Sequence, residues 1–275
     1  MHGLGNDFVL INCLEETCPE DKKGLAVLSE RICHRRFGVG ADQVLLLYPS
    51  EIADFRMRIF NADGSEVEMC GNGVRCLAKY IWDGGLSAKR ILAIETLAGI
   101  VKPERAGEMV KVDMGEPVFE PEEIPVRIRI KGTDTHRLVD LPVLAGDREL
   151  KVTCVSMGNP HAVIFVDDVS SFPVQHYGPI LEAHAMFPKK TNVEFIQVLT
   201  RKELKMRVWE RGAGETMACG TGASAAAVAA RIKDLADNAV TIHLLGGDLF
   251  IEWADDNRVY MTGPAVRVFE GAVEI

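Results

Sequence analysis

The stretch Glu66-Val67-Glu68-Met69-Cys70-Gly71-Asn72-Gly73 returns as Glu215-Thr216-Met217-Ala218-Cys219-Gly220-Thr221-Gly222, 149 residues later. The strand-like segment before it, Met57-Arg58-Ile59-Phe60, returns at the same offset as Met206-Arg207-Val208-Trp209. Further upstream, Gly5-Asn6 and an apolar run match Gly158-Asn159 and Ala162–Val166, at an offset of 153. Downstream, Met114-Gly115-Glu116-Pro117 matches Met261-Thr262-Gly263-Pro264. Four landmarks in one order with nearly constant spacing mark an internal duplication. The expected organisation is an N-terminal repeat domain over 1–117 and a C-terminal repeat domain over 118–264. The tail, 265–275, has alternating Val266, Val268 and Phe269 and is expected to return to the first domain's sheet as a strand.

Each half carries the same local pattern. Strands are predicted over Phe8–Asn12, Gln43–Tyr48 and Phe55–Phe60, then a glycine-rich turn, the cysteine, and a helix. The first helix is expected from Gly71 to Trp82, stopping near Gly84-Gly85; the second runs from Gly220 to Asp234. Further strands are predicted at Ile91–Glu95 and Val110–Met114, and Arg31–His34 has helical character. The run Ser224-Ala225-Ala226-Ala227-Val228-Ala229-Ala230 is a strong helix former with small side chains, suited to tight packing inside a curled sheet. The fold class is therefore α+β: two similar domains, each a curved sheet or barrel around a central helix.

Composition narrows the function. The 275 residues are 47% apolar and 26% charged, with 25 Gly and 12 Pro, as in ordinary soluble globular chains. Net charge is −9, and the basic pairs Arg35–Arg36 and Lys189–Lys190 do not make the concentrated basic face of a nucleic-acid binder. No apolar run approaches the ~20 residues of a membrane helix. The N-terminus has neither the basic nor the apolar region of a secretory signal. The seven cysteines, at 13, 18, 33, 70, 76, 154 and 219, contain no C-x-x-C pair, which speaks against a zinc or thioredoxin-like site. They read as reduced thiols in a cytoplasmic protein.

Cys70 and Cys219 each stand just before Gly-x-Gly and a helix. A helix start offers free N–H donors and about half a positive charge, which is expected to lower the pKa of a thiol placed there. Two similar domains related by a pseudo-twofold axis would point both sulfurs at one shared cleft. Two acid/base groups facing each other suit deprotonation on one face of a carbon and reprotonation on the other, which is racemisation or epimerisation. The plain alternative is that a cysteine is a small buried hydrophobe, and Cys13, Cys18, Cys33, Cys76 and Cys154 are read that way. A disulfide between Cys70 and Cys219 would not need the repeated Gly-x-Gly helix start.

Seven segments carry a resemblance: Met1–Phe8, Phe60–Ser65, Met69–Cys76, Gly158-Asn159-Pro160-His161, Thr191-Asn192-Val193-Glu194, Glu210–Thr216 and Ala218–Gly222. In this order they resemble the diaminopimelate epimerase family over nearly the whole chain. The resemblance implies a cofactor-independent epimerase that interconverts LL- and meso-diaminopimelate in lysine and peptidoglycan precursor biosynthesis, with no metal. It implies Cys219 as acceptor of the LL isomer's α-proton and Cys70 as donor. It further implies Gly71, Asn72, Gly220 and Thr221 as holders of the reacting carboxylate. Asn6, Gln43, Asn61, Asn159, Asn192, Glu210 and Arg211 are the remaining implied substrate contacts, with His161 and Glu210 tuning the thiols. The partner is a small molecule, not nucleic acid or membrane, and a homodimer is compatible with this reading. Members of the family usually carry a few strand-forming residues before the first motif; here the chain starts at its Met.

The residue types suit such a substrate, which has two zwitterionic ends. Arg211 presents a planar fork to a carboxylate. Each Asn alone would read as a turn residue, and His161 alone as a structural histidine. Gly3-x-Gly5 is no dinucleotide fingerprint. Two alternatives stand beside this reading. One is a related racemase acting on histidine or proline, against which the Asn61, Asn159, Asn192 and Arg211 set argues. The other is a thiol redox sensor or metal-binding protein.

Overall fold

The computed structural model describes residues 1–16, 18–19, 21–127 and 138–274. The chain divides into two compact units, Met1–Asp113 with Thr262–Ile275, and Met114–Met261. The first runs β1 (His2–Gly3), β2 (Asn6–Asn12), α1 (Lys22–Ile32), β3 (Gln43–Tyr48), β4 (Phe55–Asn61), β5 (Glu66–Val67), α2 (Gly71–Asp83), β6 (Ile94–Thr96), β7 (Gly99–Val101), β8 (Glu104–Ala106) and β9 (Met109–Asp113). The second runs β10 (Leu141–Ala145), β11 (Arg148–Ser156), β12 (Pro160–Phe165), α3 (Val174–Glu182), β13 (Asn192–Thr200), β14 (Glu203–Glu210), β15 (Gly214–Thr216), α4 (Gly220–Ile232), β16 (Ala239–Leu244), β17 (Gly247–Trp253) and β18 (Val259–Gly263).

The two units repeat one topology. In the first the sheet order is β1-β2-β3-β4-β6-β7, with β5 on β4. In the second it is β10-β11-β12-β13-β14-β16-β17-β18, with β15 on β14. The parallel pair β2–β3 corresponds to β12–β13, antiparallel β3–β4 to β13–β14, and parallel β4–β6 to β14–β16. Even the short strand before each cysteine keeps its register, Phe60 opposite Glu66 and Trp209 opposite Glu215. That explains the recurring glutamate: Glu66 pairs with Arg58 at 2.8 Å and Glu215 with Arg207 at 2.7 Å. Gly5 and Gly158, which turn the chain into the corresponding strands, have φ of 87° and 88°, a conformation that side chains with a Cβ disfavour.

Strand β3 reads as a continuous apolar run because both its faces are covered. Val44, Leu46 and Tyr48 join Leu25, Leu28 and Ile32 of α1 in one core cluster. Leu45 lies under α2, where a Cβ on Gly73 would meet its Cδ2 at 3.0 Å. Helix α2 packs on β1, β2, β3 and β9, and α4 on β11, β12, β13, β16 and β17. Ten of the thirteen residues are buried in each of these two helices. Each domain is thus a sheet wrapped on a buried helix, and the small side chains of α4 let its backbone approach the strands closely. No helix among the described residues is long and apolar enough to cross a membrane.

Four local expectations change. The tail contributes one antiparallel bridge, Val266 to His2, and no strand. Val268 and Phe269 remain 62% and 68% exposed, so their alternation has no sheet to fill. The strand predicted at Ile91–Glu95 starts at Ile94, and Ile91 makes a lone bridge to Glu104. Helix α1 already ends at Ile32, where the chain turns back and the Val39 and Gly40 N–H groups donate to the Ile32 carbonyl. Cys13 and Cys18 are joined in a disulfide, with Cα atoms 5.8 Å apart, so the reading of every cysteine as reduced does not hold for this pair. The turn after β2 brings them together.

The buried thiols outside the repeated motif make stability depend on pH. Burial pushes Cys76 and Cys154 up to about 12. In the unfolded chain both return to the ordinary thiol value of about 9, so below that pH each is protonated in both states and contributes no slope. Between about 9 and about 12 only the unfolded chain loses these protons, so stability falls as pH rises, by at most ~1.4 kcal/mol per pH unit per thiol. Urea unfolding followed between about pH 8 and about pH 10.5 should show a declining midpoint, and the decline should be shallower in Cys154→Ala. An unchanged slope in that variant would mean that Cys154 is not the group held protonated.

Candidate active site

The repeated cysteines are the N-cap residues of α2 and α4, both with extended backbone. Cys219 caps its helix with its own sulfur: Gly222 N–H donates to Sγ at 3.3 Å. The Thr221 hydroxyl lies 3.5 Å from the same sulfur. Glycine at 222 makes room for Glu194: a Cβ there would stand 2.7 Å from its Oε1, and the carboxylate would have to shift. At the other start, the Cys70 thiol donates to Asn6 Oδ1 at 3.8 Å, and Asn72 Nδ2 donates to that oxygen at 3.3 Å.

Under the duplication the candidate residues fall into equivalent places: Asn6 with Asn159, Gln43 with Asn192, Asn61 with Glu210, and Asn72 with Thr221. In the first unit Gln43 Nε2 donates to Asn61 Oδ1 at 2.7 Å, and Asn61 Nδ2 donates to Ser65 Oγ at 2.9 Å. Gln43 Oε1 is buried with no hydrogen-bond partner among the described residues. In the second, Asn159 Nδ2 donates to Thr221 Oγ1 at 3.3 Å, and its Oδ1 faces His161 Nε2 at 2.9 Å. His161 Nδ1 is 2.7 Å from Glu194 Oε1. Asn192 Oδ1 accepts the Arg211 backbone N–H at 2.9 Å. The Arg211 side chain is exposed and rests on the Lys189 carbonyl at 3.3 Å. Among the described residues its guanidinium has no hydrogen bond to another candidate residue. Glu210 accepts from the Thr216 hydroxyl at 2.5 Å and from the Cys219 thiol.

The electrostatics of the two cysteines differ. Burial, and then Glu210 and Glu194, push Cys219 well above its ordinary value; the Thr221 and Gly222 hydrogen bonds pull the other way and are outweighed. The expectation of a lowered pKa at a helix start therefore does not hold for Cys219 in this state, because desolvation and two carboxylates exceed the helix-end effect. Burial likewise raises Glu210, against the pull of Thr216 and Cys219. Cys70 has a different neighbour: the fully buried guanidinium of Arg75, one turn along α2, acts on it electrostatically. The equivalent residue in α4 is Ser224, which bonds back to the Gly220 carbonyl.

Three of these neighbours were not singled out from the sequence: Glu194, Arg75 and Thr216. Glu194 and Arg75 carried a signal, as charged residues whose repeat partners are the uncharged Leu45 and Ser224. Among the described residues no His, Cys, Asp and Glu side chains cluster to hold a metal ion. A cavity of about 740 Å³ in the first unit is lined by Tyr48, Arg58, Glu66 and Glu95 among others, and Cys70 is not in its wall. Of its charged residues, Arg58 pairs with Glu66, and Glu95 accepts from Ser50.

The sequence model described as diaminopimelate epimerase matches residues 1–120 and 153–268. A diaminopimelate epimerase of Moorella thermoacetica is 57% identical over 98% of this chain and 96% of its own. One from Methanococcus maripaludis is 47% identical over 100% and 98%. Among solved structures, a PhzF-family phenazine biosynthesis protein of Bacillus anthracis superposes with a TM-score of 0.71 at 18% identity, covering 100% of this chain and 95% of that one. A hydroxyproline epimerase of Agrobacterium vitis superposes with a TM-score of 0.66 at 15% identity, covering 96% and 87%. These distant likenesses show the fold, and the close relatives show the family: the chain belongs to the diaminopimelate epimerases.

Proposed function

We infer that this protein interconverts LL- and meso-2,6-diaminopimelate with two thiols as its acid and base. The observation that carries the reading is the duplicated helix start with a cysteine as N-cap, in a chain of this family. Inverting one carbon requires a proton to leave one face and another to arrive on the opposite face. Cys219 takes the α-proton of the LL isomer and Cys70 delivers one; in the reverse direction the roles exchange.

The α-proton is very weakly acidic, so the negative charge that develops on its removal must meet donors already in place. The backbone N–H groups at Gly71-Asn72 and Gly220-Thr221 supply them at two helix ends. Glu210, its proton affinity raised by burial, takes the Cys219 proton and leaves a thiolate held by Gly222 N–H and the Thr221 hydroxyl. The unsatisfied Gln43 Oε1 and the neutral amides of Asn6, Asn61, Asn159 and Asn192 suit a ligand rich in ammonium and carboxylate groups. Arg211 takes the carboxylate at the far end. The Cys219 and Cys70 sites then form a coupled pair that carries one proton between them per turnover.

Purified protein incubated with LL-diaminopimelate and no added cofactor should produce the meso isomer until the two reach equilibrium. Cys70→Ala and Cys219→Ala should each abolish conversion, and Cys76→Ala should retain it. Full turnover by either of the first two would contradict the assignment. Arg211→Lys keeps the charge and loses the fork, so substrate binding should weaken by ~1–3 kcal/mol, the scale of a hydrogen bond to a charged group. Unchanged binding in titration calorimetry would remove Arg211 from the substrate contacts.

A further inference from the structure

Strand β13 carries one carboxylate in an otherwise apolar, fully buried stretch: Glu194, between Val193 and Phe195, with none of its surface exposed. Its neighbour His161 on β12 is equally buried. The first unit shows what the scaffold itself needs at these places. The repeat partners are Leu45 and Phe8, and both lie under Gly73, with a Cβ there 3.0 Å from Leu45 Cδ2 and 3.6 Å from Phe8 Cε1. An apolar pair thus supports the same helix start. Burying a carboxylate instead is unfavourable unless it is well paired. Glu194 Oε2 has no hydrogen-bond partner among the described residues, so the His161 contact carries most of the compensation.

We propose that Glu194 is a positioning residue for the Cys219 half of the reaction, acting through His161 and Asn159 to aim the Thr221 hydroxyl at the sulfur. With Nδ1 engaged by Glu194 at 2.7 Å, His161 turns Nε2 to Asn159 Oδ1 at 2.9 Å. Both atoms of that second contact cannot be acceptors, so Nε2 bears the hydrogen. The amide of Asn159 is thereby set with Nδ2 toward Thr221 Oγ1, at 3.3 Å. Its oxygen occupied by that donor, Thr221 has its own hydrogen left for Cys219 Sγ at 3.5 Å. One proton is shared along Nδ1 and Glu194, and none is consumed. The charged groups acting on the sulfur are Glu210 from β14 and Glu194 from β13, and His161 from β12 acts on Glu210.

Without Glu194 the imidazole is free to present an acceptor at Nε2. Asn159 then turns over, donates to His161, and offers its oxygen to Thr221. The threonine hydrogen follows that oxygen and leaves the sulfur, so the thiolate keeps Gly222 N–H and loses its hydroxyl donor.

This inference rests on the epimerase reading, and its test has a readout that does not. Glu194→Leu, Glu194→Gln and the double variant His161→Phe/Glu194→Leu, which copies the first unit's packing, are compared with wild type. The rate of alkylation at Cys219 and at Cys70 is followed against pH by peptide mapping, beside kcat, KM and Tm. Both single variants remove a carboxylate that raises Cys219, so they are compared with each other: the Cys219 profile of Glu194→Leu should lie at higher pH than that of Glu194→Gln while that of Cys70 stays, and kcat of Glu194→Leu should fall about 100-fold with KM little changed, as for loss of an outer partner of a reacting group. Glu194→Gln can donate to Nδ1 and leave Nε2–H on Asn159, so it should retain kcat within about tenfold. The double variant should keep the wild-type Tm and also show a Cys219 profile at higher pH than Glu194→Gln, which settles the matter if Glu194→Leu folds poorly. Coincident Cys219 profiles in Glu194→Gln and the folded leucine variants, or equal losses of kcat in Glu194→Gln and Glu194→Leu, would overturn the proposal. Absence of epimerisation by the wild type would instead overturn the function reading, and the alkylation profiles would still decide the role of Glu194.

Discussion

The first turn of a helix has N–H groups that no carbonyl of the same helix can satisfy. The two candidate cysteines stand at two such ends. At α4 the unsatisfied donor on Gly222 is met by the sulfur of Cys219, so the group that caps the helix is also the group proposed to give and take a proton. Removing Cβ atoms at Gly73 and Gly222 lets the sheet come up under the helix start. The strands beneath therefore decide the environment of each sulfur. Exchange of the apolar Leu45 for Glu194 at one repeat position changes that environment from hydrocarbon to carboxylate.

Duplication supplies two equal backbones, and substitution makes them chemically unequal. Cys70 lies on a helix that buries Arg75, and Cys219 is faced by Glu210 and Glu194. A cation favours a thiolate and carboxylates favour a thiol. The surroundings of Cys219 favour its protonated form; in the proposed LL-to-meso reaction Glu210 accepts that proton while Cys70 keeps its own to deliver. Reaction in the LL-to-meso direction then has to include that transfer, and the hydrogen bonds to Cys219 from Gly222 and Thr221 stabilise its result.

Much of this was legible in the sequence where one cause dominated. Strand β3 matches its predicted bounds, Gln43–Tyr48, because both faces are covered and the apolar run is unbroken. Both helices begin at the first glycine after the cysteine, as the Gly-x-Gly spacing implied. Effects that depend on distant chain were hidden. The alternation of Val266, Val268 and Phe269 is that of a strand, yet past Val266 none of the described strands pairs with it. The disulfide between Cys13 and Cys18 follows from a turn whose path the five-residue spacing does not specify. The high proton affinity of Cys219 comes first from its burial and then from carboxylates 9 and 25 residues away in sequence, carried by β14 and β13. The substrate set divided in the same way: Asn6, Asn72 and Cys70 meet, as do Asn159, His161, Thr221 and Cys219, whereas the Arg211 side chain stays in solvent.

The central claim is that two different sulfurs serve the two faces of one α-carbon. The position of isotope in the first few per cent of turnover in D2O tests it most directly. LL-diaminopimelate with protium at the α-carbon should give meso product carrying one deuterium at the inverted centre, while recovered LL substrate remains unlabelled, because the incoming proton comes from a thiol already exchanged with solvent. Product that retains the substrate's own α-hydrogen would mean that one base returns the proton it removed, and the two-thiol account would be wrong.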